Sequence, residues 1–218
     1  MKAQQRIHRV LVVDDHPVVT AGIRETLAGE DDLEVVGSAA TLSEATAAIE
    51  RERPDVALVD LTLEKNSGLN VIKTIAGMRP EVRVLVFTMH DEALYAERTL
   101  RAGAHGFVHK GVSSDELIAA IRKTLEGRLV ISDQMNARLV QKALSGQRKA
   151  EGVSSLSDRE LEVFQLIGQG AGIRKIAEAL GISVKTVETH RENIKKKLDV
   201  GSASQLTRFA VAWVENPA

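Results

Sequence analysis

The chain has 218 residues, 44% of them hydrophobic and 3% aromatic, with a net charge of −1 and no cysteine. That length is comfortable for two domains whose cores are built from Val, Leu, Ile and Ala, and the missing cysteines exclude a disulfide framework and Cys-based zinc sites. Near-neutral charge argues against a strongly basic nucleic-acid binder. No apolar stretch approaches the ~20 residues needed to cross a bilayer, and a polar Met1 to Arg9 leading straight into a strand predicts no signal peptide and a cytoplasmic protein.

Val10 to Val13 is the first short apolar run. Pro17 to Ala28 reads as a helix, with Pro17 in the first turn where a missing N–H does no harm. Leu33 to Gly37 is a short strand. Thr41-Leu42-Ser43-Glu44 is a capping box opening a helix that ends near Arg53. Pro54 separates it from the run Val56 to Val59. Ser67-Gly68 opens a helix ending before Arg79-Pro80, and Val84 to Phe87 is the next run. Asp91 to Arg101 is helical and closed by Gly103; Phe107 to His109 follows; Ser113-Ser114-Asp115-Glu116 is a second capping box, for a helix to Glu126. Five strands alternating with five helices predict a doubly wound α/β domain, and right-handed crossovers favour the flavodoxin-like strand order.

Four of these runs end in polar residues: Asp14-Asp15, Asp60, Thr88 and Lys110. Short β-branched runs are the habit of strands buried on both faces of a parallel sheet, whose carboxyl ends all point to one rim. Three carboxylates, a hydroxyl and an amine are therefore expected together at the switch point between the first and third strands. Such a set can hold a divalent cation, present Asp60 as nucleophile and neutralise a phosphoryl group. Taken alone, Asp14-Asp15 could equally complement the dipole of the helix that follows. His16, His90, His105 and His109 have no paired metal spacing and read as structural or surface groups.

Beyond Gly127 the pattern turns helical. Ser132 to Leu144 reads as a helix and Ser145 to Ser155 as a linker. Ser157-Asp158-Arg159-Glu160 is a third capping box, for a helix that Gly168 to Gly172 breaks. Arg174 to Leu180 is a short helix closed by Gly181. Ser183 caps a helix to about Leu198, and Ser202 a last one to about Val214. Short helix, tight turn and longer helix form a helix-turn-helix arrangement. On the longer helix Val187, Ile194 and Leu198, flanked by Val184, share a face expected to pack inward. Lys185, Glu188, Thr189, Glu192 and Lys196 fall opposite, as a groove-reading face, with Arg191 and Lys195 at the edges and His190 a helix-edge phosphate contact. Residues 151–218 hold nine Lys/Arg and nine Asp/Glu, although 183–198 hold five basic and two acidic residues. Phosphate neutralisation dominates affinity for DNA, so one copy should bind weakly and dimerisation is the natural remedy. The Leu206, Phe209, Ala210, Trp213 stripe is a core face by default.

These motifs resemble those of a known family. Val13-Asp14-Asp15-His16-Pro17, Asp60-Leu61-Thr62-Leu63 with Ser67-Gly68-Leu69, Thr88, and Lys110 after Phe107 resemble a response-regulator receiver domain over residues 1–127. Leu156-Ser157-Asp158-Arg159-Glu160, Ile176-Ala177-Glu178-Ala179-Leu180 and Ser183-Val184-Lys185-Thr186-Val187-Glu188-Thr189-His190-Arg191 resemble a LuxR-type helix-turn-helix over 156–218, with a helix and linker at 128–155 between. The whole chain is similar to a NarL/FixJ-type two-component response regulator. The resemblance implies that a sensor histidine kinase phosphorylates Asp60. It implies Mg²⁺ held by Asp15, Asp60 and the main-chain carbonyl of Thr62, with Asp14 acting through water, which suits a hard cation that retains waters. Lys110 would neutralise the phosphoryl group, Thr88 would swing to bond it, and Phe107 would be the aromatic partner of that switch. Double-stranded DNA, a homodimer in the phosphorylated state and RNA polymerase are the implied partners, with Leu206, Phe209 and Trp213 as dimer candidates.

Several positions depart from the family pattern. Glu64 replaces a common Pro in the loop after Asp60. Ser-Asp-Arg-Glu replaces Thr-Pro-Arg-Glu at 157–160, and Gly172-Ile173-Arg174 replaces Ser-Asn-Lys. Glu188 and Glu192 stand where relatives often carry Lys; a carboxylate can accept from cytosine N4 but repels phosphates. Two alternatives stay in view: a receiver-like transcription factor that works without phosphorylation, and a Mg-dependent aspartyl-phosphate phosphatase of the haloacid-dehalogenase type. The phosphatases put their two acids two residues apart after the first strand, and here Asp14 and Asp15 are adjacent.

Overall fold

In the computed structural model, which describes residues 6–63, 67–144 and 152–215, the apolar runs form one parallel sheet. The strands are β1 (His8–Val13), β2 (Leu33–Ala39), β3 (Val56–Val59), β4 (Arg83–Thr88) and β5 (Gly106–His109), in the order β2-β1-β3-β4-β5. Val10–Val13 pair with Val56–Val59, and these pair in turn with Arg83–Val86. All four residues of β3 are buried, as a strand covered on both faces requires. Helices α1 (Pro17–Leu27), α2 (Leu42–Glu52), α3 (Gly68–Met78), α4 (Glu92–Ala102) and α5 (Ser114–Leu125) alternate with the strands. The expected doubly wound topology is the one observed, with its switch point between β1 and β3.

β2 continues two residues beyond the expected Gly37, pairing as far as Val13 of β1, and a register shift between Val10 and Leu11 absorbs one of the two. The first expected capping box is half formed. Thr41 Oγ1 accepts from the Glu44 N–H at 3.2 Å, but the Glu44 carboxylate takes the N–H of Ala40, not that of Thr41. The Ser113/Glu116 and Ser157/Glu160 boxes are complete. Glu64 lies outside the described residues, as does the linker from 145 to 151. The remainder of that linker, Gly152–Ser155, is a short 3₁₀ turn.

The chain divides into two compact units, Met1–Leu139 and Val140–Ala218, and the division falls inside α6 (Asp133–Leu144). The second unit holds α7 (Asp158–Gly168), α8 (Ile173–Ala179), α9 (Val184–Leu198) and α10 (Ala203–Glu215). Phe164 is its central side chain, fully buried, with ring centroids 5.4 Å from Trp213 and 5.7 Å from Phe209. A Phe in that position is worth about 3–5 kcal/mol over Ala. Val187 and Ile194 face this core as the wheel requires. Leu198 is half-buried, and Val184 is exposed, since the first turn of α9 projects past the core.

Candidate phosphoacceptor site and nucleic-acid interface

The backbone ladder runs on past the strand ends and carries the polar residues into place. Asp14 N–H donates to the Ala39 carbonyl at 2.9 Å, Asp60 N–H to the Val13 carbonyl at 2.9 Å, and Lys110 N–H to the Thr88 carbonyl at 2.8 Å. Each residue after its strand is thus fixed by a backbone hydrogen bond to the neighbouring strand. Gly68, at the start of α3, completes it: a Cβ there would lie 2.0 Å from the Asp60 carbonyl oxygen. Only glycine lets α3 begin so near the Asp60 backbone.

Lys110 Nζ donates to Asp60 Oδ2 at 2.6 Å and to Asp14 Oδ2 at 2.7 Å. Both carboxylates are nearly enclosed, Asp14 with 5% and Asp60 with 4% of its surface exposed. Burial works to lower the Lys110 pKa, but the hydrogen bonds and charges of Asp14 and Asp60 outweigh it and hold the amine above the ordinary lysine value. The amine is therefore a fixed cation at neutral pH. Asp60 Oδ1 also accepts from the Thr62 N–H at 3.3 Å. Thr88 is fully buried, and its hydroxyl accepts from the His90 N–H at 3.4 Å. Phe107 is buried as well.

Two histidines read as structural or surface groups line this rim. His16 Nδ1 lies 2.8 Å from Asp15 Oδ1 and 3.1 Å from Asp14 Oδ1, and His16 N–H donates to Asp14 Oδ1 at 2.8 Å. His90 Nε2 lies 2.8 Å from Thr62 Oγ1 and its ring is 4.6 Å from Tyr95. The signal for His16 is its place directly after the acids; His90, 28 residues beyond Thr62, carried none. His105 and His109 accept N–H groups of Val84 and Gly111.

The donor set suits a divalent cation. Two carboxylates, Asp14 and Asp60, face Lys110, and at Asp14, Asp15 and His16 one ligand atom from each residue lies within 4.8 Å of the others. Asp60 joins Asp14 through Lys110. Carboxylate and carbonyl oxygens match Mg²⁺, and an imidazole nitrogen is a softer donor beside them.

In the second unit, Lys185, Glu188, Thr189, Glu192 and Lys196 are all exposed on α9, while His190 and Arg191 are half-buried. Thr189 Oγ1 donates back to the Lys185 carbonyl at 3.0 Å. Lys195 pairs with Glu192 at 2.7 Å, so that expected phosphate contact is already engaged. Two contacts absent from the sequence reading orient the helix-turn-helix. Arg159 donates to the Leu180 carbonyl in the turn, and Lys197 at the end of α9 pairs with the buried Glu160 carboxylate at 2.6 Å. Burial alone would raise the Glu160 pKa; the bonds from Lys197 and Ser157 prevail and lower it. On α10, Leu206 and Trp213 are buried in the unit's own core. They cannot serve as direct dimer contacts while that core is intact, and Phe209, 38% exposed, is the member of the trio that offers surface.

The family described as response regulator receiver domain matches residues 10–122, and that of bacterial regulatory proteins of the luxR family matches 154–210. The chain is a LuxR-type response regulator. This regulator is 37% identical over 204 residues to the transcriptional regulatory protein MctR of Rhizobium johnstonii, covering 93% of this chain and 92% of that one. It is 35% identical over 209 residues to the oxygen regulatory protein NreC of Staphylococcus carnosus, covering 93% and 96%. Among solved structures it is similar to RcsB of Salmonella enterica serovar Typhimurium bound to promoter rprA in the presence of the phosphomimetic BeF₃⁻, with TM-score 0.67, 25% identity, and coverage of 94% of this chain and 99% of that one. Like the family, the regulator joins a two-component receiver to a DNA-binding domain. Among the described residues no helix is long and apolar enough to cross a membrane.

Proposed function

We propose that a sensor histidine kinase phosphorylates Asp60 and that this phosphate raises the affinity of the α9 surface for double-stranded DNA, through pairing of two copies. In the transfer, an Asp60 carboxylate oxygen forms a P–O bond as the P–N bond to the kinase histidine breaks, and the departing imidazole takes a proton from solvent. The observation that carries the proposal is the bridge from Lys110 to Asp14 and Asp60, with a cation held in place at a buried nucleophile. Mg²⁺ bound by Asp15, Asp60 and the Thr62 carbonyl, with Asp14 through water, would neutralise the charge developing on the transferring group. Lys110 keeps its bond to Asp60 and offers its charge to the phosphoryl oxygens. The Thr88 hydroxyl turns to bond one of them, and the Phe107 ring occupies the space beside it. The Asp60 phosphate is a signal, and the chain itself turns over no substrate.

On the DNA side Lys185 and Thr189, at the exposed start of α9, read base edges, with Glu188 available to accept from cytosine N4 and Glu192 able to do so on leaving Lys195. Arg191, Lys196 and His190 contact phosphates. Two copies double those contacts and make the second half-site nearly intramolecular, with Phe209 the exposed apolar residue of α10 for pairing. RNA polymerase is the partner of the DNA-bound form, in the cytoplasm. The domains are 1–127 and 156–218, joined by 128–155.

The test is incubation with Mg²⁺ and acetyl phosphate. The wild-type chain gains one base- and hydroxylamine-labile phosphate, and Asp60→Asn gains none, because an amide is no nucleophile here. Labelling of Asp60→Asn would move the site elsewhere, and a chain that takes up no phosphate would favour the phosphorylation-independent reading.

A further inference from the structure

β5 is the last strand of the sheet, and its outer edge would present unpaired backbone groups unless something covers it. Val130, five residues past α5, covers it. Phe107 N–H donates to the Val130 carbonyl at 2.7 Å, and Val130 N–H donates to the His105 carbonyl at 3.2 Å, a one-residue parallel bridge opposite Gly106. Gly106 makes room for it: a Cβ there would lie 2.7 Å from Val130 Cβ and 2.9 Å from its carbonyl oxygen. The segment is then fastened a second time. Ser132 N–H donates to Glu92 Oε1 at 2.8 Å, Arg138 donates to the Ala93 carbonyl at 3.3 Å, and Met135 is buried between these anchors in sequence.

We propose that Val130–Arg138 is a strap that the phosphorylated receiver releases, rather than a fixed extension of the fold; this rests on phosphorylation at Asp60. Each fastening adjoins one of the two switch residues. The first is the backbone N–H of Phe107 itself. The second is the opening turn of α4, which begins four residues after Thr88. The Thr88 hydroxyl accepts from the His90 N–H in the loop between them. When that hydroxyl turns to a phosphoryl oxygen it abandons His90, and the loop and the first turn of α4 are freed to shift. Glu92 and Ala93 then leave Ser132 and Arg138. With that end loose, two backbone hydrogen bonds at an edge are too few to hold an isolated residue on the sheet, each being worth about 1 kcal/mol. The strap leads directly into the chain toward the DNA-binding half, so its release converts the turn of one hydroxyl at Thr88 into a change in how that half is tethered.

The test is amide hydrogen exchange at Phe107 and Val130 in the full-length chain, with phosphate on Asp60 counted by intact mass in the same samples. Phosphorylation should speed exchange at both amides about tenfold or more, as local opening requires. Glu92→Ala combined with Arg138→Ala, neither at the phosphoacceptor, should give fast exchange without phosphate and raise DNA affinity severalfold in that state. Thr88→Ala, which deletes the acceptor of the His90 N–H, should still take up phosphate but exchange fast before it as well, with no further rise on phosphorylation. Absence of phosphate in the wild type would overturn the phosphorylation reading and the strap with it. Full phosphorylation with unchanged exchange, or a loosened strap with unaltered DNA affinity, would overturn the strap alone.

Discussion

The rim of the sheet and the outward face of α9 are both crowded with charge, yet they are built in opposite ways. At the rim, the buried Asp14 and Asp60 are bonded to the half-buried Lys110, and the backbone that carries them is hydrogen-bonded to neighbouring strands. On α9, Lys185, Glu188 and Lys196 stand exposed on a single helix. A buried, mutually satisfied set is costly to assemble and is poised for one chemical event. An exposed set costs little and takes its energy from the partner's phosphates. Substitutions at the rim should therefore act steeply and as a unit, whereas those on α9 should act gradually and one by one.

The largest effect is expected from Asp60→Asn, with complete loss of phosphate uptake by intact mass while the fold is retained. Lys110→Ala comes next. It leaves Asp14 and Asp60 buried against each other without a cation, and breaking a buried pair by removing one partner costs about 3–5 kcal/mol. Denaturant melting of the receiver should show that loss, with Mg²⁺ restoring part of it; a melt equal to wild type would mean that the bridge contributes no stability.

A smaller effect is expected where the second unit borrows the rim's design. Lys197→Ala leaves the buried Glu160 carboxylate without its cation, and since Lys197 is partly exposed the cost should be about 1–2 kcal/mol. The sign of the pH dependence follows from the lowered Glu160 pKa. Its contribution is fully present above the ordinary carboxylate value of 4.5 and is lost as pH falls through the lower folded value. Melts of Glu160→Gln should lack that acid-side loss.

The smallest effects belong to α9. Arg191→Ala and Lys196→Ala should each weaken binding to all sequences and reduce the slope of log affinity against log salt by about one unit. Lys185→Ala and Thr189→Ala should relax sequence preference instead, read out by selection from a random DNA pool. An unchanged preferred sequence after Lys185→Ala would mean that another part of α9 faces the bases.

The same contrast explains what could be read from the residues alone. The sheet order and the meeting of Asp14, Asp60, Thr88 and Lys110 followed from four buried runs and the one-handed rule for crossovers, because topology leaves few alternatives. The outward face of α9 followed from helical period. Long-range pairs had no such guide. Thr62 with His90, Arg159 with the Leu180 carbonyl and Glu160 with Lys197 join residues whose types are ordinary and whose separations have no period. Val184 and Phe209 lie at the edges of apolar stripes, where the wheel gives direction but not how far the neighbouring core extends. Val130 was hidden for a related reason, since one residue bridging a sheet edge is too short to show as a strand.

The most direct measurement is the affinity of the full-length chain for a DNA fragment selected from genomic DNA, taken with and without acetyl phosphate and Mg²⁺, for wild type and Asp60→Asn side by side. The binding curve of the wild type should move to lower protein concentration on phosphorylation, with sedimentation shifting from monomer toward dimer, while both stay fixed for Asp60→Asn. Equal affinity in all four samples would contradict control of DNA binding from Asp60. Tighter binding at unchanged mass would contradict pairing as its route.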